Sequence, residues 1–192
     1  MKRGFERAPS SKIRSLLAAL AALSPVAASA QMAVTTFGAT DAQLCYEAAR
    51  DDFSQDSSAC DAALKSQAMS GRDRIATYVN RGVVLNRAGS LDDALADFNR
   101  ALEEDEDLAE AFLNRGNTYF LMRRYDDAIA DYEASLSFDL PKAHVAWYNI
   151  GLAHEAKKDA VKAREAYRMA LEINPDFGPA RKKLGISQQA DD

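Results

Sequence analysis

Residues 109–142 read AEAFLNRGNTYFLMRRYDDAIADYEASLSFDLPK, and this stretch decides the fold because its pattern returns along the chain. Its glycine, Gly116, has counterparts at Gly82, Gly151 and Gly185, separated in order by 34, 35 and 34 residues. Twelve residues after each of the first three glycines stands an alanine (Ala94, Ala128, Ala163), and nineteen after stands another small residue (Ala101, Ser135, Ala170). Four before each stands an aromatic (Tyr78, Phe112, Trp147), and sixteen after stands a second (Phe98, Tyr132, Tyr167). Small and aromatic side chains recurring in phase mark a chain of stacked supersecondary units.

Each unit divides into two amphipathic helices. The first unit predicts helices over 75–88 and 91–104, broken at Gly89-Ser90, and the second over 109–122 and 125–138. The third predicts 142–157 and 160–173, after Leu140-Pro141 has added the extra residue, and Asn174-Pro175 ends it. A last helix, about 177–188, keeps Leu184-Gly185 but has Arg181 in place of the aromatic, as expected of a capping half-repeat. Gly82 and Ala94 are expected to meet where the two helices of a unit come closest.

This arrangement resembles the tetratricopeptide repeat, whose unit is a helix pair of 34 residues, over about 75–174. The resemblance implies an all-α fold, an α-solenoid of antiparallel helix pairs. The expected division is 1–30 signal peptide, 31–40 flexible leader, 41–74 a degenerate helical hairpin, and 75–192 the repeat domain. Within that domain the units are 75–108, 109–142 and 143–177, with a capping helix at 178–190. Composition agrees: glycine and proline number only 9 and 5 in 192 residues, against 37 alanines, the best helix former.

The amino terminus has the layout of an address. Lys2, Arg3, Arg7, Lys12 and Arg14 precede the apolar run Leu16–Leu23, and Ala28-Ser29-Ala30 offers small residues for cleavage before Gln31. The run is far short of the ~20 residues that span a membrane. It resembles a bacterial Sec-type signal, which implies a periplasmic or secreted product. Residues 1–30 hold five basic residues and one acidic, so the remainder of a chain of net charge −5 carries −9. An acidic body argues against nucleic acid as a partner.

Cys45 and Cys60, the only cysteines, fall on the two helices of the degenerate hairpin. Their even number and the export signal favour a disulfide over two free thiols. Arg81 and Arg115 precede their glycines where the resembled family usually has an apolar residue, and Asp97 and Asp131 follow sixteen residues later. Unit three has Ile150 and Ala166 at these positions, so charge and partner disappear together and an Arg–Asp bridge is inferred in units one and two.

No catalytic constellation is present. His144 and His154 are too few for a metal site, Glu103–Asp107 lacks the turn glycine of a calcium loop, and no glycine-rich phosphate loop exists. No cofactor is implied, and the expected protein is not an enzyme.

In the resembled family the first helices line a concave groove that binds extended peptides or partner segments. Its walls here would include Val79, Val83, Leu113, Asn117, Phe120, Tyr148 and Leu152. Asn80, Asn114 and Asn149 recur once per unit, and a carboxamide can pair with both the amide and the carbonyl of a peptide backbone. The alternative is that they are plain surface residues. The expected function is binding of a partner protein or extended segment at the cell envelope. The alternatives are an envelope scaffold using the convex face or end helix and, less favoured, an enzyme accessory subunit. The intact mass of protein from a membrane-free extract should begin at Gln31; retention of residues 1–30 would reject the signal peptide.

Overall fold

The computed structural model describes residues 40–186, and these fold as nine helices with no strand among them. The first pair is α1 (Thr40–Arg50) and α2 (Ser58–Leu64), and the second is α3 (Gly71–Ala88) and α4 (Leu91–Glu104). Then come α5 (Ala109–Leu121) with α6 (Tyr125–Leu136), and α7 (Ala143–Ala156) with α8 (Ala160–Ile173). The last is α9 (Gly178–Leu184). Each helix packs on its successor, while α1, α3, α5 and α7 also touch in sequence. The first helices of the pairs thus form one continuous wall, with the second helices behind it. The expected signal peptide and leader lie almost wholly outside the described residues.

Local sequence explains the ends. Helix α3 begins four residues before its expected start because Ser70 caps it. The Ser70 Oγ accepts from the Asp73 N–H at 3.1 Å and donates to the Asp73 carboxylate at 2.8 Å. The turns inside the pairs pass through left-handed residues: Gly89 (φ 79°), then Arg123 (62°) and Lys158 (65°). Helix α9 stops at Leu184, short of the expected 190, because Gly185 takes φ 70° and its N–H returns to the Lys182 carbonyl.

The repeated glycines are points of close approach: a Cβ on Gly116 would lie 3.2 Å from the Ala128 carbonyl oxygen, and in each unit the nearest group is the aromatic of the second helix. A Cβ on Gly82 would lie 2.6 Å from Phe98 Cε1, and one on Gly116 would lie 2.7 Å from Tyr132 Cε1. Gly151 faces the ring of Tyr167 in the same way. Helix α3 has no side chain at Gly82, so the aromatic of the second helix comes up against that position. Phe98 and Tyr132 are buried there to 0% and 1% exposure. Ala94 and Ala128 are also fully buried, keeping the second helix close enough for the ring to reach.

The first pair lacks this device. Ala48 occupies the glycine position and Leu64 the aromatic one. Cys45 and Cys60 are bonded instead, with their Cα atoms 4.7 Å apart and both side chains buried. Closing this loop of about 15 residues contributes roughly 3 kcal/mol in the chain-entropy description. Arg87 then ties the pair to α3 by donating to the Ala48, Ala49 and Asp51 carbonyls at the end of α1.

Substitution Gly116→Ala should cost about 1–3 kcal/mol in urea unfolding, since the Tyr132 ring must move. Gly178→Ala, where an added Cβ meets nothing within 4 Å, should be nearly neutral. Equal losses would remove the packing explanation.

Candidate functional site

Two arginines clasp the stack. The Arg81 guanidinium donates from Nε and Nη2 to both Asp97 carboxylate oxygens, at 2.6 and 2.8 Å, and from Nη1 to Asp61 at 2.7 Å. Arg115 repeats the motif, with Nε and Nη2 on Asp131 at 2.7 and 2.8 Å and Nη1 on the Asn99 side-chain oxygen at 2.7 Å. Each arginine therefore holds its own helix, the second helix of its pair and the second helix of the preceding pair. The fork geometry of guanidinium on carboxylate suits this bidentate contact. Hydrogen bonding to Asp97 and Asp131 pushes the arginine pKa values further up, so both stay charged. In the third unit Ile150 and Ala166 are buried at the same places and the contact is apolar.

The expected groove residues lie on α3, α5 and α7, but Val79, Val83 and Leu113 belong to the core between the helices and line no open surface. Val79, Val83 and Leu113 are fully buried, Tyr148 is 5% exposed, and Phe120 and Leu152 are half-buried. Asn80, Asn114 and Asn149 are buried too, at 0%, 0% and 1%, so none is a solvated surface residue. Asn149 Nδ2 donates to Asn117 Oδ1 at 2.9 Å, which also accepts from the Tyr132 hydroxyl at 3.0 Å. At the next residue, Thr118 Oγ1 donates to Asn86 Oδ1 at 3.0 Å. These bonds join α5 to α7 and α3 to α5.

They leave one edge of each carboxamide unused. Among the described residues, Asn86 Nδ2, Asn117 Nδ2 and Asn149 Oδ1 are buried with no hydrogen-bond partner. An unsatisfied buried polar atom costs roughly 1–3 kcal/mol. Asn86 Nδ2 and Asn117 Nδ2 are donors and Asn149 Oδ1 is an acceptor, so a segment that reached them would offer two carbonyls and one N–H. Asn86 falls outside the expected set because the repeat places Phe120 and Glu155 at its positions, so nothing recurs there.

The remaining candidates form no site. His144 stands edge-on to Phe177 at 4.9 Å, and burial lowers the pKa of both His144 and His154. Glu103–Asp107 lies exposed at the end of α4. The described residues include no group of three His, Cys, Asp or Glu side chains placed to hold a metal ion. No described helix is long and apolar enough to cross a membrane.

Sequence profiles of the tetratricopeptide repeat match residues 73–139 and 113–176, together more than half of the 192 residues. The chain belongs to the tetratricopeptide repeat family. No curated protein matches it. Among solved structures, it is similar to the first tetratricopeptide domain of Spaghetti (RPAP3) bound to the HSP90 peptide SRMEEVD. The two share 20% identity and a TM-score of 0.55, over 58% of this chain and 88% of that one. It is similar to YrrB, described as having an unusual peptide-binding site, at 24% identity and TM-score 0.60, over 74% of this chain and 69% of that one. A tetratricopeptide repeat protein from Parabacteroides merdae is similar at 22% identity and TM-score 0.60, over 77% of this chain and 59% of that one. Likeness at these identities establishes the solenoid fold. The family is one of protein–protein interaction modules, and this chain has that architecture.

A double-mutant cycle on Arg81 and Asp97, read by urea unfolding, should show each single alanine costing on the order of 3 kcal/mol. The double variant should cost far less than their sum. Additive losses would show that the two side chains do not act as a pair.

Proposed function

We propose that this protein is a non-enzymatic interaction module of the bacterial cell envelope, binding an extended segment of a partner protein along the face of α3, α5 and α7. The observation that carries the reading is the row of unused carboxamide atoms on Asn86, Asn117 and Asn149. Buried donors and acceptors without partners favour a ligand that supplies the missing bonds. A peptide backbone supplies both kinds at regular intervals, without regard to its side chains. Asn80 and Asn114 stand on the same helices, and Phe120 and Leu152 are half-buried apolar residues of that wall. At about 0.5–1.5 kcal/mol per hydrogen bond, the polar contacts need this apolar support. Micromolar affinity, about −8 kcal/mol, is the expected strength.

Export is supported by two independent features. The basic, apolar and small-residue order of residues 1–30 is that of a Sec signal. The Cys45–Cys60 bond belongs to an oxidising compartment such as the periplasm. Carboxamides are neither nucleophiles nor general bases at neutral pH, which favours binding over catalysis.

The test is capture of partners from an envelope extract on immobilised protein and on an Asn86→Ala, Asn117→Ala, Asn149→Ala variant whose helicity is intact. A partner held by the first and bound at least tenfold more weakly by the second is the expected result. Equal recovery would reject the row as the binding determinant.

A further inference from the structure

The two ends of the stack are unlike each other, and their chemistry is complementary. At the first end, the loop between α1 and α2 carries Phe53, exposed to 92%. It is the most exposed of the large apolar side chains among the described residues. The backbone around it is well tied. Asp51 Oδ1 accepts from the Phe53 N–H at 3.0 Å, the Asp51 carbonyl accepts from Ser54 N–H at 3.0 Å, and Asp56 Oδ1 accepts from Ser58 N–H at 2.9 Å. Arg87 Nη1 donates to the Asp51 carbonyl at 2.7 Å, and the Cys45–Cys60 bond closes the base of the loop. Phe53 is therefore a knob on a braced support, ringed by the exposed carboxylates of Asp51, Asp52 and Asp56.

At the last end, α9 has no second helix to cover it among the described residues. A groove of about 500 Å³ opens between α8 and α9. Leu171, Leu184 and Ile186 give it an apolar lining, while Arg164, Arg168 and Glu172 form its rim. Ile186 is 44% exposed. Arg164 and Arg168 lie one helical turn apart, are exposed, and make no salt bridge among the described residues. Burying Arg164 and Arg168 without carboxylates would be unfavourable, so the groove selects an occupant that brings an apolar group inside acidic neighbours.

We propose that the occupant is the Phe53 loop of a second copy of this chain. The knob enters the groove against Leu171, Leu184 and Ile186, and Asp52 and Asp56 meet Arg164 and Arg168 at its rim. The two surfaces are different patches on the same molecule, so the contact is heterologous and leaves a free knob at one end and a free groove at the other. Copies then add head to tail. One knob and its rim make a small interface, so association is weak and sensitive to salt. This contact uses neither the carboxamide row nor its ligand and stands apart from the function proposed above.

The test is sedimentation of the purified protein from about 10 to 500 µM, a range spanning weak association. The weight-average mass should at least double across it in low salt and stay near 21.0 kDa, less any cleaved signal, in about 0.5 M NaCl. Phe53→Ala should remove most of the increase. Asp52→Lys with Asp56→Lys gives a basic knob, and Arg164→Glu with Arg168→Glu gives an acidic rim. Each variant alone should remain monomeric, and an equimolar mixture of the two should associate again, which no folding defect could produce. A wild-type protein monomeric throughout would overturn the proposal. So would association that survives Phe53→Ala and the knob reversal, which would give the groove to another segment, or a mixture that stays monomeric.

Discussion

The stack depends throughout on a glycine that lets an aromatic ring rest on a helix backbone. At Gly82 and Gly116 even a methyl group would lie closer to the facing ring than atoms in contact allow. The ring buries a large apolar area while holding two helices at one separation and angle, and every later pair inherits that geometry. Repetition follows from it. One pair leaves an apolar face open, and a second pair built to the same dimensions covers it. The alanines twelve residues on contribute by being small, so that the second helix can approach far enough for its ring to land.

The polar contacts refine this packing. Arg81 and Arg115 each gather three helices through one planar group and so fix the offset between successive pairs. The third unit, with Ile150 and Ala166 instead, stacks equally well, which shows that the charges supplement the packing. Its aromatic has another partner: the Tyr167 hydroxyl donates to Glu155 at 2.6 Å, and Lys183 on α9 reaches the same carboxylate. The last helix is thereby attached to the unit before it. At the other end a covalent bond stands in for the absent glycine and aromatic. A terminal pair has one neighbour rather than two, and so less packing to hold it.

The period makes the fold legible in the amino-acid sequence, because residue type and spacing recur in phase around three glycines and the glycine itself returns a fourth time. The ends of α4 and α8 follow on the same grounds. Other features are hidden for identifiable reasons. Helix α3 starts early because Ser70 and Asp73 form a local cap that α5 and α7 lack. Spacing pairs Gly82 with Ala94, yet two small residues leave a gap that the Phe98 ring fills. Asn86 is silent in the repeat pattern because it occurs in one unit only, and its meaning comes from Thr118 on the next helix. Phe53 belongs to no repeat position, and it is exposed because α1 stops at Arg50 and the chain passes into a loop. Periodicity reveals what the units share, while binding surfaces arise where they differ.

Protection of backbone amides from hydrogen exchange, compared with and without a captured partner, tests the assignment of the binding face most directly. Slower exchange along α3, α5 and α7 around Asn86, Asn117 and Asn149, with α4, α6 and α8 unchanged, is the predicted result. Protection confined to α4, α6 and α8 or to α9, with the three first helices unaltered, would contradict it.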